Sequence, residues 1–444
     1  MPRTLRKTIF WLKDWIKGSK VRKHYEAIEK INDDHESDHS VREREKYLSE
    51  ILRHCIDTVP YYRKLGITDT KLDKFPVVDK NLIRAHSNLF RSEAYADKKT
   101  FKATTSGSTG TPFTVLHNVD KKRRHTADVH FFWESVGHAW GTKFFYLKIW
   151  NAQNSKSQLT KKMQNIVPID VFKLDDDKIK ALLDSVKTDT SPKSILGYAS
   201  ALDRIVKYLE RNPTDMSKAN VISIIAMSES LDGPTKKTLG AYFNCPVVSR
   251  YANLENGMFA QQTSWSGNDF LVNLASYHIE ILDLHENIPV KEGEMGRIVV
   301  TDLFNRAMPI IRYDTGDLGI LGKSEKNGKT HQVFQKIEGR KMDAIYNTKG
   351  EVVSSFTITN SMWKYIELAQ YQFIQMSRKE YKFKLNAVEK FQREKELIEE
   401  FIGYLGEDAK IHVTYVDEVP LLSSGKRKKV LNTMKVTKKG FSPS

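Results

Sequence analysis

Between residues 100 and 340, short β-rich runs alternate with helical stretches and with Gly, Pro and Asn breaks, and this alternation leaves few architectures open. Ser194–Tyr198, Val221–Met227, Pro246–Ser249, Tyr277–Leu282 and Gly296–Leu303 are apolar runs of strand length, most of them rich in β-branched side chains. Strands separated by helix-length segments predict an α/β domain with a largely parallel sheet, because a parallel neighbour is reached only through a crossover. The pattern changes after Gly339. Residues 366–386 read as two strands, and 393–406 read as a helix with Leu397, Ile398, Phe401, Ile402 and Leu405 on one face. Ile411, Val413 and Tyr415 then alternate as a further strand, which makes a small α+β unit. The predicted organisation is a basic amphipathic helix over 1–23, a large α/β domain over 24–338 and a small α+β domain over 339–444.

The formal charge of +16 invites a nucleic-acid reading, but its location argues against one. Residues 1–23 hold eight Lys/Arg against one acid, and residues 424–444 hold seven and none, so the 400 residues between are nearly neutral. A nucleic-acid binder spreads basic residues over a face with aromatics interleaved, and no nucleic-acid partner is expected. In the N-terminal segment Leu5, Ile9, Leu12 and Ile16 recur with helical spacing beside Trp11 and Trp15, up to Gly18. A basic helix carrying Trp suits the surface of an anionic membrane, and an apolar stripe equally suits a helix packed on the body. Apolar runs such as Ile9–Leu12 fall far short of the roughly 20 residues that span a bilayer. No secretory pattern is evident, so the expected setting is cytoplasmic, peripheral at the inner membrane face if the helix binds lipid. Two cysteines, Cys55 and Cys245, provide neither a disulfide framework nor metal-ligand spacing.

The sharpest local signal is Thr104-Thr105-Ser106-Gly107-Ser108-Thr109-Gly110-Thr111-Pro112. Glycines let backbone N–H groups approach an anion, and the hydroxyls donate further hydrogen bonds, so the run suits a phosphate cradle. It lacks the spacing and the lysine of a Walker A loop. Alone it also suits a linker, and the rest of the chain decides between the two.

Four later segments follow in order: Ser228-Glu229-Ser230, Tyr251-Ala252-Asn253-Leu254-Glu255, Arg312-Tyr313-Asp314-Thr315-Gly316-Asp317 and Gly339-Arg340, with Ser423-Ser424-Gly425-Lys426 near the end. Together with the hydroxyl loop this series resembles the adenylate-forming superfamily of acyl-CoA synthetases, luciferase-like enzymes and peptide-synthetase adenylation domains. Within it, Val59–Arg63 and Asn305–Tyr313 are similar to the phenylacetate-CoA ligase-like branch, which includes CapK-like proteins of envelope polysaccharide synthesis.

The resemblance implies a large N-terminal domain and a small mobile lid, joined by a hinge near Lys341-Met342-Asp343, and an enzyme that joins a carboxylate to AMP with loss of pyrophosphate. It implies that Thr105, Ser106, Gly107, Ser108, Thr109 and Gly110 hold the ATP phosphates, that Tyr251, Ala252 and Asn253 with Ser228, Glu229 and Ser230 line adenine, and that Asp317 and Arg340 hold the ribose. Glu255 would hold Mg²⁺, and Lys426 would be the catalytic lysine. Trp133, His138, Tyr198 and Ala199 are candidates for the acyl pocket. The acceptor is an amine or hydroxyl on a glycan precursor in the CapK-like reading, or CoA in the other. A nucleotide-binding or membrane-surface adaptor that has lost catalysis is the alternative of another class. The chain departs from the family at Ala252, where glycine is usual, and at Leu254, where threonine is usual. It also lacks the cysteine-rich metal site that some relatives carry, so no zinc is expected.

Overall fold

The computed structural model describes residues 3–105, 113–150, 155–172, 174–340, 345–353, 358, 361–365, 367–387, 391–420 and 428–434. The chain divides into two compact units, Met1–Ile337 and Glu338–Ser444.

The first unit begins with helices α1 (Arg3–Ile16), α2 (Lys20–Asp33), α3 (Asp38–Thr58), α4 (Pro60–Lys64) and α5 (Lys80–Ala85). Helix α1 stops before Gly18, which has φ +84. Asp14 then accepts the backbone N–H groups of Val21 and Arg22, each at 3.0 Å, and so satisfies first-turn donors of α2. Leu5, Leu12 and Ile16 of the apolar stripe point outward, 47%, 52% and 69% exposed. The helix docks by a different face, on which the Phe10 and Trp11 rings lie 4.1 and 4.6 Å from the buried Trp140 ring. Gly141 permits this approach, since a Cβ there would sit 2.8 Å from the Arg3 carbonyl oxygen.

Strands β1 (Thr100–Thr105) and β2 (Phe113–Asn118) pair antiparallel ahead of helix α6 (Val119–Glu134). Then follow β3 (Lys143–Lys148), α7 (Gln158–Gln164), β4 (Ile166–Asp170), α8 (Asp176–Thr188), β5 (Lys193–Tyr198), α9 (Ala199–Arg211), β6 (Val221–Met227), α10 (Gly233–Phe243) and β7 (Val247–Asn253). These strands are parallel neighbours in the order β4-β3-β5-β6-β7. Both β5 and β6 are buried along most of their length, which explains their continuous apolar sequences. The chain steps outward from β3 to β4 and returns across β3 to β5. Such a reversal opens a crevice at the carboxyl ends of β3 and β5, because the loops leaving them part in opposite directions.

The expectation of a largely parallel sheet needs correction in its second half. Strands β8 (Gly257–Gln262), β9 (Phe270–Val272), β10 (Tyr277–Leu282), β11 (Met295–Asp302), β12 (Tyr313–Lys326) and β13 (Lys329–Arg340) extend the same sheet in the order β7-β8-β9-β13-β12-β11-β10. Pairing from β7 to β8 and from β8 to β9 is antiparallel, as it is between β13 and β9 and from β12 through β11 to β10. The reason is connection length. Residues 254–256 alone join β7 to β8, and Asn327 and Gly328, both at positive φ, join β12 to β13, which leaves no room for a crossover helix.

The second unit contains β14 (Ile345–Tyr346), β15 (Val352–Val353), β16 (Leu368–Gln375), β17 (Glu380–Ala387), helix α11 (Glu394–Leu405), β18 (Lys410–Tyr415) and β19 (Val430–Asn432). Its four-stranded sheet runs β18-β17-β16-β19. Helix α11 buries Leu397, Phe401 and Leu405 against it, with the Phe401 ring 4.8 Å from Phe383 and 5.5 Å from Phe373.

Candidate active site

The turn after β7 places the acid of the tyrosine motif. Asn253 Oδ1 accepts the Asn256 N–H at 2.8 Å, closing a tight turn that directs Glu255 inward to 7% exposure. Glu255 Oε1 accepts from the Tyr313 hydroxyl at 3.1 Å, and its backbone carbonyl accepts from His117 Nε2 at 2.6 Å. Burial lowers the His117 imidazole to about 4, so the ring is neutral and its Nε2 carries the proton given to that carbonyl. Gly257 follows with φ +118, and a Cβ there would meet Tyr277 Oη at 2.6 Å. The Tyr277 hydroxyl donates to the Asn256 carbonyl at 2.8 Å and accepts from Lys121 at 3.0 Å, and Lys121 pairs with Asp302 at 2.6 Å. Glu255 therefore stands on a buried polar frame whose members hold one another.

Tyr251 and Asp317, 66 positions apart, meet directly: the phenol donates to Asp317 Oδ2 at 2.8 Å and lies 3.3 Å from Thr315 Oγ1. The Thr315 hydroxyl donates to the Ile298 carbonyl at 3.0 Å and accepts the Asp317 N–H at 3.2 Å, with Gly316 at φ +80 making the turn. Burial, then the Asp317 charge, pushes the Tyr251 phenol well above its usual range, so it remains a donor. Arg312 of the same motif belongs to the scaffold, gripping Glu280 at 2.9 and 3.1 Å and donating to the Phe75 carbonyl at 3.1 Å.

A second group of residues gathers at the reversal in strand order. Tyr198 ends β5 and Ala199 opens α9, whose Ser200 N–H donates to Glu229 Oε2 at 2.9 Å. Ser228 holds φ +71, a left-handed conformation that costs a serine about 1–3 kcal/mol and is often stored at functional sites. Burial, with Tyr146 and Glu229 adding, pushes the Tyr198 phenol up to about 12. At the end of β3 the Lys148 ammonium lies 4.1 Å from the Trp150 ring centre, and burial together with Lys156 lowers it to about 8. Trp133 and His138 sit deeper, 8% and 2% exposed, with rings 4.4 Å apart. They pack in a core with Phe144, and His138 Nδ1 bonds Ser194 Oγ at 2.9 Å.

Ser230 and Ala252 are exposed. Ser106, Gly107, Ser108, Thr109, Gly110 and Lys426 lie outside the described residues, as do the side chains of Thr105 and Arg340. Their flanks are described. Strands β1 and β2 pair up to Thr105 opposite Phe113. Just past Lys426, the carbonyls of Lys428 and Lys429 accept from Gln372 Nε2 at 2.9 Å and the Phe373 N–H at 2.8 Å, tying that segment to β16. Among the described residues no group of three or more His, Cys, Asp or Glu side chains is placed to hold a metal ion. Sequence reasoning gave no role of their own to Tyr313, His117, Lys148 and Arg250. Tyr313 stood within a motif, and Lys148 and Arg250 each left a signal as a cation ending an apolar run, Phe144–Leu147 and Pro246–Ser249.

Residues 345–433 match the family model of the CapK C-terminal domain. Protein CapK of Staphylococcus aureus is 23% identical over 381 residues, covering 83% of this chain and 82% of the relative. A crystal structure of 2-hydroxyisobutyryl-CoA ligase in its postadenylation state, in complex with R3-HIB-AMP, superposes with a TM-score of 0.68 at 15% identity, over 87% of this chain and 88% of that one. The amide bond synthetase McbA from Marinactinospora thermotolerans superposes with a TM-score of 0.52 at 14% identity, over 74% and 67% of the two chains. The chain thus has the adenylate-forming ligase fold, and its residues 345–433 are similar to the CapK C-terminal domain.

Proposed function

We propose that this protein activates a carboxylate with ATP, forms an acyl-adenylate with release of pyrophosphate, and passes the acyl group to an amine or hydroxyl in envelope polysaccharide synthesis. The observation that carries the reading is the pairing of Tyr251 with Asp317 beside a separately framed Glu255, in a chain with the adenylate-forming fold. Asp317 accepts the ribose hydroxyls and Tyr251 stacks on adenine. The 105–110 segment cradles the phosphates, and Arg340 bonds ribose and α-phosphate. Glu255 fits Mg²⁺ in the one-carboxylate manner suited to a cation shared with phosphates; Mg²⁺ would neutralise phosphate charge there. A substrate carboxylate oxygen attacks the α-phosphorus while Lys426 stabilises the charge that builds on that phosphate. The small domain then swings about residues 341–343 to admit the acceptor. Hydroxylamine trapping tests this: acid-dependent hydroxamate together with AMP supports it, and AMP-free reactions across aryl, fatty, amino and uronic acids contradict it. CoA remains the alternative acceptor, supported by the likeness to a CoA ligase.

A second proposal concerns α1, which docks through Phe10 and Trp11 and exposes Leu5, Leu12, Trp15 and Ile16 among basic residues. Such a face suits an anionic lipid surface. Cosedimentation with phosphatidylserine vesicles, reduced in Trp15→Ala and absent with phosphatidylcholine, is the expected result.

A further inference from the structure

The guanidinium of Arg250 is a half-buried cation that, among the described residues, lacks the carboxylate its buried peers possess. Arg297 pairs with Asp314 at 2.8 Å and Arg312 grips Glu280 through two nitrogens. Arg250 spends its Nε on the neutral Gln261 Oε1 at 2.9 Å and stands 5.8 Å from the Trp133 ring centre. Its NH2 nitrogen is sealed from solvent and has no hydrogen-bond partner among the described residues. Burial lowers it only to about 10, so it is charged at neutral pH. A guanidinium nitrogen sealed from solvent and left without an acceptor is costly to fold around.

The orphan nitrogen has company. His125 Nδ1, His130 Nδ1 and Trp133 Nε1 are also buried without a partner among the described residues, and all three belong to α6. The Trp133 ring stands 5.8 Å from the guanidinium, and an orphaned guanidinium N–H near an orphaned indole N–H calls for an acceptor ligand.

Strand register places this cluster at the candidate acyl site. Tyr198 of β5 pairs with Met227 of β6, and Ala226 pairs with Ser249, so Arg250 falls beside Met227. Tyr198, Met227 and Arg250 therefore form one row at the carboxyl ends of the parallel strands, facing the same side. Tyr146 Oη reaches Met227 Sδ at 3.9 Å on that face. Tyr251, one residue on, faces the other side toward Asp317. Lys148, at the end of β3, has no ion pair among the described residues either.

We propose that Arg250 receives a second carboxylate on the acyl substrate, so that the substrate class is a dicarboxylic acid activated at one end. This rests on the adenylation reading above. The carboxylate not activated bonds the Arg250 NH2 nitrogen, while the other is left near the nucleotide.

The test is calorimetric binding of malonate, succinate, glutarate and adipate to the full chain with ATP analogue present, each compared with its monomethyl ester. Pyrophosphate exchange is run in parallel, and Arg250→Gln and Arg250→Lys accompany the wild type. The expected result is that at least one diacid binds about tenfold or more tightly than its ester. That preference is lost in Arg250→Gln and partly kept in Arg250→Lys, with ATP affinity unchanged in both. No diacid preference, or a preference that survives in Arg250→Gln, overturns the assignment. The two readings fail separately: exchange with uncharged acids but no charge preference removes Arg250 alone, whereas diacid binding without exchange for any acid removes adenylation.

Discussion

The two faces of strand β7 differ in how much of their chemistry is already satisfied within the protein. On the Tyr251 face the phenol, Asp317 and Thr315 bond one another, and Glu255 rests on Tyr313, His117 and a Lys121–Asp302 pair. On the Arg250 face the cationic NH2 nitrogen of Arg250 and the indole nitrogen of Trp133, whose ring stands 5.8 Å from the guanidinium, are buried without partners among the described residues. Under the proposed assignment, the contrast teaches that the side we assign to the nucleotide is pre-assembled and gains only the ligand, whereas the side we assign to the acyl substrate is completed by it. A pre-assembled side suits a substrate of fixed structure such as ATP, and an unfinished side is where chains of one fold can differ in specificity.

Breaking the pre-assembled side should cost fold as well as function. Lys121→Met leaves Asp302 buried without its cation and removes the donor behind Tyr277. We expect about 3–5 kcal/mol of lost stability in urea unfolding of the large unit, and an unchanged midpoint would show that the frame behind Glu255 is not what holds it. A smaller effect is expected at the front of that face. Asp317→Asn keeps the shape but replaces the charged acceptor, so KM for ATP should rise about 10–100-fold with the folded state intact. An equal change in the KM of the acid instead would move Asp317 to the other side of the comparison.

The smallest effect sharpens the contrast through pH. His117 is held to about 4, and His125 and His138 to about 3, against roughly 6.5 in an unfolded chain. Below about pH 6.5 the unfolded state takes up protons that the folded state refuses. Stability is therefore fully present above that pH and drains as pH falls toward 4. Urea midpoints at pH 7.5 and 5.0 should differ, and His138→Gln should narrow the difference; the same slope in the variant would remove His138 from the account.

Much of this was legible in the sequence for identifiable reasons. Apolar runs such as Val221–Met227, of strand length and rich in β-branched side chains, suit strands buried on both faces, and Leu397, Phe401 and Leu405 repeat at helical spacing, so both elements lie where the pattern puts them. The antiparallel half was not legible, because strand direction depends on connection length and the 254–256 link looked like motif rather than turn. The docking face of α1 was not legible for a related reason. Leu5, Leu12 and Ile16 have the right period, but the Phe10–Trp11 pair meets Trp140, and periodicity does not say which of two apolar faces finds a partner. Arg250 was hidden by its neighbour. A motif read as Tyr251 to Glu255 draws attention to one face of β7, and only the register reveals what the other carries.

The central claim is tested most directly by carboxylate-dependent exchange of labelled pyrophosphate into ATP, with Lys426→Ala as the control. The account predicts exchange that requires an added acid and falls about 10²–10³-fold in the variant, the scale of removing one positioned charge-stabilising group. Tight ATP binding with no exchange for any acid, or exchange that Lys426→Ala leaves untouched, would contradict it.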